Sequence, residues 1–349
     1  MERVKSVDMF RLIAIVAIIV IHTRPFDNYF LHEHSLLLKY VFYIMRNSAR
    51  FAVPFFFVIS GYFWGIKIRV SYSINLVTRK MIVRLSSLFL IWSIIYLFPY
   101  DQLVTMYQYG ILGPIKVLYW SFGNKISSSI KLLFVGTQPH LWFLPSLIFG
   151  VLITSVFIKC QSFTALAISS VILYILMVLT RTYKMNLCGI SYVTNYYCWG
   201  LFVSPICFAS GYYLSSKIHW SPNRWLMIGA VMTCVGVIVH AIEVYILCHM
   251  YGIAPDVAHG CGTYFMGCGV AMMSLSNSYL FKIECLSHLG TLTLGVYLIH
   301  LIFVDALTPF SQRVVNSAWD LVFPIAVLCA SLVCVSFMSN RKYLNRLVS

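Results

Sequence analysis

Apolar runs of about 18 or more residues, the length that reads as a membrane span, recur along the whole sequence. They fall near 9–26, 48–66, 82–98, 141–159, 163–180, 198–214, 225–247, 262–281, 290–309 and 318–338. Backbone groups find no water in a bilayer core, so each run is predicted to be a helix. The pattern therefore predicts an all-α integral membrane protein, with about ten transmembrane helices in one bundle. No polar stretch is long enough to fold separately, so residues 1–349 read as a single multi-span membrane domain.

Composition agrees: of 349 residues, 60% are hydrophobic and 10% charged, and the mean hydropathy is +0.84. In a soluble protein, a net charge of +15 would point to nucleic acid. Here it is assigned to basic loops and anionic lipid headgroups, with no nucleic-acid partner expected. With the N-terminus inside, the inner loops collect Arg3, Lys5, Lys67, Arg69, Arg79, Lys80, Arg84, Lys159, Lys217, Arg224, Lys282, Arg341, Lys342 and Arg346. This satisfies the positive-inside rule and puts both termini in the cytoplasm. Arg3 and Lys5 before an apolar run resemble a secretory signal, but His22-Thr-Arg-Pro25 replaces the small residues of a cleavage site, so the first span reads as uncleaved. The outer segment 99–140, with Tyr107, Tyr109, Tyr119 and Trp120, is long enough to carry a re-entrant or interfacial helix.

The first span holds three ionisable side chains, Asp8, Arg11 and His22. At about 100° per residue, Arg11 and His22 lie about 20° apart around the helix and about 16 Å apart along it. Asp8 is about 60° off that line. Such groups are costly in a membrane and usually face a bundle interior or a watery cavity. Asp8 can orient Arg11, Arg11 can hold an anion, and the imidazole of His22 can exchange a proton near neutral pH. The alternative is a snorkelling pair at one interface and a histidine at the other.

Other candidates follow the same logic. Arg79, Lys80 and Arg84 open the third span and can engage phosphates, or can simply set topology. Arg46 and Arg50 precede Phe51-Ala-Val-Pro54, with Pro54 and Gly61 allowing a kink or close packing. His140 and Trp142 open a span at the outer face, where an indole can stack on a sugar and an imidazole can bond a hydroxyl. Alternatively, they form part of an aromatic belt. His300 lies inside an apolar run, a setting typical of a packing partner. Glu243 and Asp305 lie in spans without an evident partner. The cysteines show no metal-ligand spacing, so no metal is expected; a disulfide among Cys188, Cys248 and Cys261 is left open.

Four stretches together resemble the membrane acyltransferase 3 family, multi-span enzymes that O-acetylate bacterial surface polysaccharides. They are Asp8-x-x-Arg11-x-x-Ala14 with His22, Phe55-Phe-Phe-Val-Ile-Ser60-Gly61-Tyr, His140-Leu-Trp142-Phe-Leu, and Leu294-Gly-Val-Tyr297-Leu-Ile-His300. Their shared order reaches from the N-terminus to about residue 300. The resemblance implies acetyl-CoA or another acyl-CoA as co-substrate from the cytoplasm, with no bound cofactor. The implied acceptor is a sugar hydroxyl of an O-antigen-like surface polysaccharide or its lipid-linked precursor, and the implied location is the bacterial inner membrane. Arg11 and His22 would be the functional pair, with His22 as general base or acyl relay. Arg79, Lys80 and Arg84 would bind the donor; Arg50, His140, Trp142 and His300 would lie on the acceptor side. The family's arginine pair at the third span is incomplete here, because Met81 occupies the earlier position. With the last span ending near 338, no added soluble domain is expected. A glycan-lipid flippase is the alternative that explains the spans and basic loops, though not the ordered motifs.

Overall fold

The structure, a computed structural model, describes residues 4–26, 43–71, 73–103, 106, 110, 112–126, 129–185, 199–251, 258–311, 314 and 317–348. Among the described residues it is all helical. Among the described residues, eight helices are long and apolar enough to cross a membrane. They include α1 (Lys5–Thr23), α2 (Ala52–Ser71, led in by a 3-10 turn at Ala49–Phe51) and α3 (Ile74–Ile95). After two helices of the 99–140 segment come α6 (Phe143–Lys159) and α7 (Phe163–Met177). The remaining long ones are α9 (Pro222–Tyr251), α12 (Thr293–Ser311) and α13 (Ser317–Ser339).

The expected ten is not matched by length, because two apolar helices are short. One is α8 (Trp199–Leu214) and the other α10 (Cys261–Leu275). The start of α10 has a physical cause. The Glu243 carboxylate accepts hydrogen bonds from the amides of Cys261 (2.7 Å) and Gly262 (3.0 Å). That satisfies the orphan donors of a helix N-terminus with a negative charge. Glu243 thus has the partner that the sequence does not reveal. Asp305 has one too, accepting from Gln138 Nε2 at 2.6 Å.

The 99–140 segment contains α4 (Gly113–Ile126) and α5 (Ser129–Val135). One face of α4 is anchored: Val117 and Ser121 are buried, and Lys125 Nζ donates to the Tyr96 carbonyl at 2.7 Å. The other face leaves Tyr119 and Trp120 exposed, so the segment read as carrying a re-entrant or interfacial helix does contain a helix with an aromatic outer face. Tyr107 and Tyr109 lie outside the described residues.

Helix packing places the site. Gly61 of α2 faces the Phe208 backbone of α8, and Gly211 of α8 faces the Val58 backbone of α2; a Cβ at either would overlap those atoms. The two backbones therefore approach closely, as small residues allow in membranes. Pro54 sits in the first turn of α2, where its missing N–H is not needed, so it causes no break. Two short helices follow: α11 (Glu284–Gly290) packs against the start of α1, where a Cβ on Gly290 would overlap the Asp8 backbone, and α14 (Asn345–Val348) packs on α12, with Val348 against Gly295. Cys248 and Cys261 are free thiols; Cys188 lies outside the described residues.

Candidate active site

At the start of α1, Arg11 donates to Asp8 at 2.8 Å, and the Asp8 side chain is buried. The Arg11 guanidinium also lies over the Phe63 ring, 5.4 Å from its centre. One carboxylate therefore holds the arginine, and one aromatic face steers it.

Arg11 lines a cavity of about 1040 Å³. Lys67 of α2 and Lys80 and Arg84 of α3 also line it, beside Met81 and Phe63. Deeper in, the lining becomes Ile18, Phe56, Phe143, Leu147 and Tyr297. The cavity thus joins a cationic mouth to an apolar interior. Ser73 begins α3 by capping it, accepting from the Leu76 amide at 3.3 Å. Counting from that start, Lys80 and Arg84 are four residues apart and share a face. Arg79 is about 100° round from Lys80; it is exposed and is not among the residues lining the cavity. Lys67 lines the cavity, and the sequence showed it only as one more loop cation.

His22 lies in the last turn of α1. The helix stops there because Arg24 takes a left-handed conformation (φ 48°) before Pro25. The His22 ring centre is 5.2 Å from that of His300, and His300 is 5.3 Å from His140. These three histidines come from α1, α12 and the 3-10 turn Pro139–Trp142 that leads into α6. Read in sequence, His300 looked like an isolated packing residue; the fold makes it the middle of a trio. Its Nδ1 lies 2.7 Å from the Tyr297 carbonyl, so that nitrogen carries the hydrogen and neutral His300 keeps a lone pair on Nε2. Among the described residues, the buried His300 Nε2 has no hydrogen-bond partner.

Tyr297 connects the two regions. It lines the cavity, its ring is 5.5 Å from that of His140, and its hydroxyl donates to the His140 carbonyl. Tyr96 closes the far side of His140, ring to ring at 5.0 Å, with its hydroxyl donating to the Leu298 carbonyl at 2.7 Å.

His140 and Trp142, paired in the sequence reading, point to different places. Two residues in a 3-10 turn are about 240° apart. Trp142 instead packs against Trp199 (5.6 Å) and His259 (5.8 Å). It can do so because Gly200 has no side chain: a Cβ there would overlap the indole and Ser146 Oγ. The Arg181 guanidinium stacks on Trp199 at 4.2 Å. Burial, followed by the charges of Arg181 and Arg50, pushes the His259 imidazole down to about 3. Arg50 lies in electrostatic range of both His259 and His22. Trp199, Arg181 and His259 carried no motif or spacing that sequence reasoning could use.

Among the described residues no group of three or more His, Cys, Asp or Glu is arranged to hold a metal. The geometry offers a charged cavity for an anionic ligand, a chain of adjacent imidazoles able to exchange protons, and a separate cluster of indoles with a guanidinium stacked on it.

The chain matches the family described as an acyltransferase domain over residues 4–341. It is also similar to an amino-acid racemase of Enterococcus faecalis, 29% identical over 237 residues, covering 64% of this chain and 29% of that protein. A second amino-acid racemase of the same organism is 28% identical over 178 residues, covering 50% of this chain and 22% of the relative. A serine/alanine racemase of Enterococcus gallinarum is 30% identical over 158 residues, covering 44% and 20%. The chain thus matches under a third of the length of each of these curated relatives. No solved structure matches it.

Proposed function

The chain belongs to the family of acyltransferase domains, and from that membership we propose that it is a bacterial inner-membrane O-acyltransferase. It moves an acetyl group from acetyl-CoA to a sugar hydroxyl of a surface polysaccharide or of its lipid-linked precursor. The racemase names belong to much longer proteins, and nothing is carried over from them.

One observation supports this reading above the others. A cavity with Arg11, Lys67, Lys80 and Arg84 among its lining residues shares Tyr297 with a trio of adjacent histidines. Coenzyme A carries several phosphate charges at one end and a thioester at the other. Arg11 and Arg84 would take phosphate oxygens as charge-assisted bonds, and Lys67 and Lys80 would add charge at the mouth. Met81 occupies the wall where relatives are expected to have an arginine, so Lys67 and Lys80 supply the missing charge. The thioester would then reach inward past Phe56 and Phe143. The basic end of the bundle would face the cytoplasm, with both termini there, and acyl-CoA would enter from that side.

In the reaction, His22 takes the proton of the acceptor hydroxyl as its oxygen attacks the thioester carbonyl. The tetrahedral oxyanion collapses, the C–S bond breaks, and the leaving thiolate receives that proton from the imidazolium. The products are the acetyl ester and free coenzyme A. His300 fixes the orientation of His22, because its own Nδ1 is anchored on a carbonyl. His140 continues the imidazole chain.

The test is transfer by full-length protein in lipid vesicles, given labelled acetyl-CoA and a glycan extract, with NMR of the product. A gain of one acetyl group per acceptor, lost in His22→Ala, is the expected result. Glycan moved across the membrane without any gain of acetyl would make the chain a transporter instead.

A further inference from the structure

The cavity runs along one face of α2. Lys67, Phe63, Ser60, Phe56 and Val53 all line it; spaced three or four residues apart, they span about 21 Å of helix. On α1 the order is the same: Arg11 and Ile18 line the cavity, on one face and about 10 Å apart along the axis. Charge therefore ends well before the cavity does. Its inner end, with Ile18, Val53, Phe56, Phe143 and Leu147 in the lining, is apolar, and the Tyr297 hydroxyl there already donates to the His140 carbonyl.

Rings close this end. Phe143 is buried, and its ring lies 4.6 Å from Phe57, 5.4 Å from Tyr297 and 6.4 Å from Phe56, centre to centre. Beyond Tyr297 stand His140 and His300, at 5.5 and 6.0 Å. His22 is one helical turn past Ile18 and is not among the residues lining the cavity. Phe143 and Tyr297 thus stand between the cavity and the histidines. A ring packed on three sides in a dense interior has little room to swing away.

We propose that Phe143 gauges the acyl group, ending the cavity so that a short acyl group fits and a longer chain meets its ring. An acyl group with its own carboxylate is refused too, because the inner wall has no cation to pair it and burying an unpaired charge is costly. The inference rests on the acyl-transfer reading of the same cavity.

Full-length protein in vesicles would be given the coenzyme A thioesters of acetate, butyrate, hexanoate and succinate with the glycan extract, and kcat/KM measured for each. Acetyl should lead. Butyryl should fall below it by about tenfold or more, the usual effect of an extra methylene in a fitted apolar site; hexanoyl and succinyl should be poorer still. Phe143→Ala should raise the butyryl-to-acetyl ratio by about tenfold or more, and Phe143→Leu by less. Neither should help succinyl. A variant that is merely destabilised loses both activities in proportion, so the ratio separates gauging from folding. Equal kcat/KM for acetyl and butyryl in wild type, a ratio unmoved in both variants, or efficient succinyl transfer overturns the proposal. If neither variant folds, Phe56→Leu is read by the same ratio. Acetyl transfer with a flat ratio would sink this inference alone. Transfer from none of the four donors would sink the acyl-transfer reading and take this inference with it.

Discussion

The imidazoles of His22 and His300 lie 5.2 Å apart, centre to centre, although they come from the first span and from α12. His300 is fixed by its Nδ1 on the Tyr297 carbonyl, whereas His22 sits in the last turn of its helix beside Arg24. His300 is thus held by a backbone contact. On the acyl-transfer reading proposed above, proton transfer belongs to His22 and positioning to His300.

If so, the two variants differ in size of effect. His22→Ala should cost about 10² to 10⁴-fold in acetyl transfer, the usual loss for a general base. His300→Ala should cost about tenfold, roughly one lost neutral contact. Single-turnover transfer of labelled acetyl groups measures both. A His22→Ala enzyme with near wild-type turnover would remove the base from the mechanism. Label that stays on wild-type protein without acceptor, and not on His22→Ala, would make His22 an acyl carrier.

Donor binding should follow the cavity wall and not the run of basic residues in the sequence. Lys67 and Lys80 line the cavity, and Arg79 does not. Lys67→Ala or Lys80→Ala should therefore raise KM for acetyl-CoA about fivefold, as for an exposed ion contact of about 1 kcal/mol, and more weakly at high salt. Arg79→Ala should change it by less than about twofold. Met81→Arg adds a guanidinium to the wall and should lower KM. Arg79→Ala matching Lys80→Ala in effect would place the donor outside this cavity.

Trp142 gives a steric test. Gly200→Ala puts a methyl group where the indole and Ser146 Oγ lie, so the ring must move. Overpacking of this kind costs about 1–3 kcal/mol. A lower Tm is expected together with a raised KM for the acceptor, while KM for acetyl-CoA holds. Co-substitution with Ser146→Ala removes the nearer of the two overlaps and should recover part of the Tm, while the displaced indole keeps KM for the acceptor raised. An unchanged KM for the acceptor in Gly200→Ala would show that Trp142 has no part in acceptor binding.

Much of this site is legible in the first span alone. Helical periodicity puts Asp8, Arg11 and His22 near one line, and the structure closes the Asp8–Arg11 contact at 2.8 Å. What the sequence hides is contact between distant spans. His300 acquires its neighbours from α1 and from the Pro139–Trp142 turn. Likewise, Glu243 looked unpartnered because its partners are backbone amides of α10, which no side-chain pattern reports. His140 and Trp142 looked like one feature because spacing along the chain does not show a 3-10 turn dividing them. Helix bounds are hidden for a related reason: hydropathy reports apolar length, whereas the Glu243 carboxylate decides where α10 begins.

His259 sets a pH dependence for the fold. Its ordinary value is 6.5, and burial pushes it to about 3 in the folded protein. Between those values the unfolded chain takes up a proton that the folded chain refuses. The folded state therefore keeps its full share of stability above about pH 6.5 and loses it as pH falls, by up to about 1.4 kcal/mol per unit. From neutral to about pH 5 the loss is about 2 kcal/mol. A glutamine has no proton to bind, so the fall in Tm over that range should be shallower in His259→Gln than in wild type. Protein in vesicles or detergent, melted at both pH values, provides the comparison. Parallel Tm slopes for the two proteins would mean that His259 titrates alike folded and unfolded, and that water reaches its ring beside Trp142.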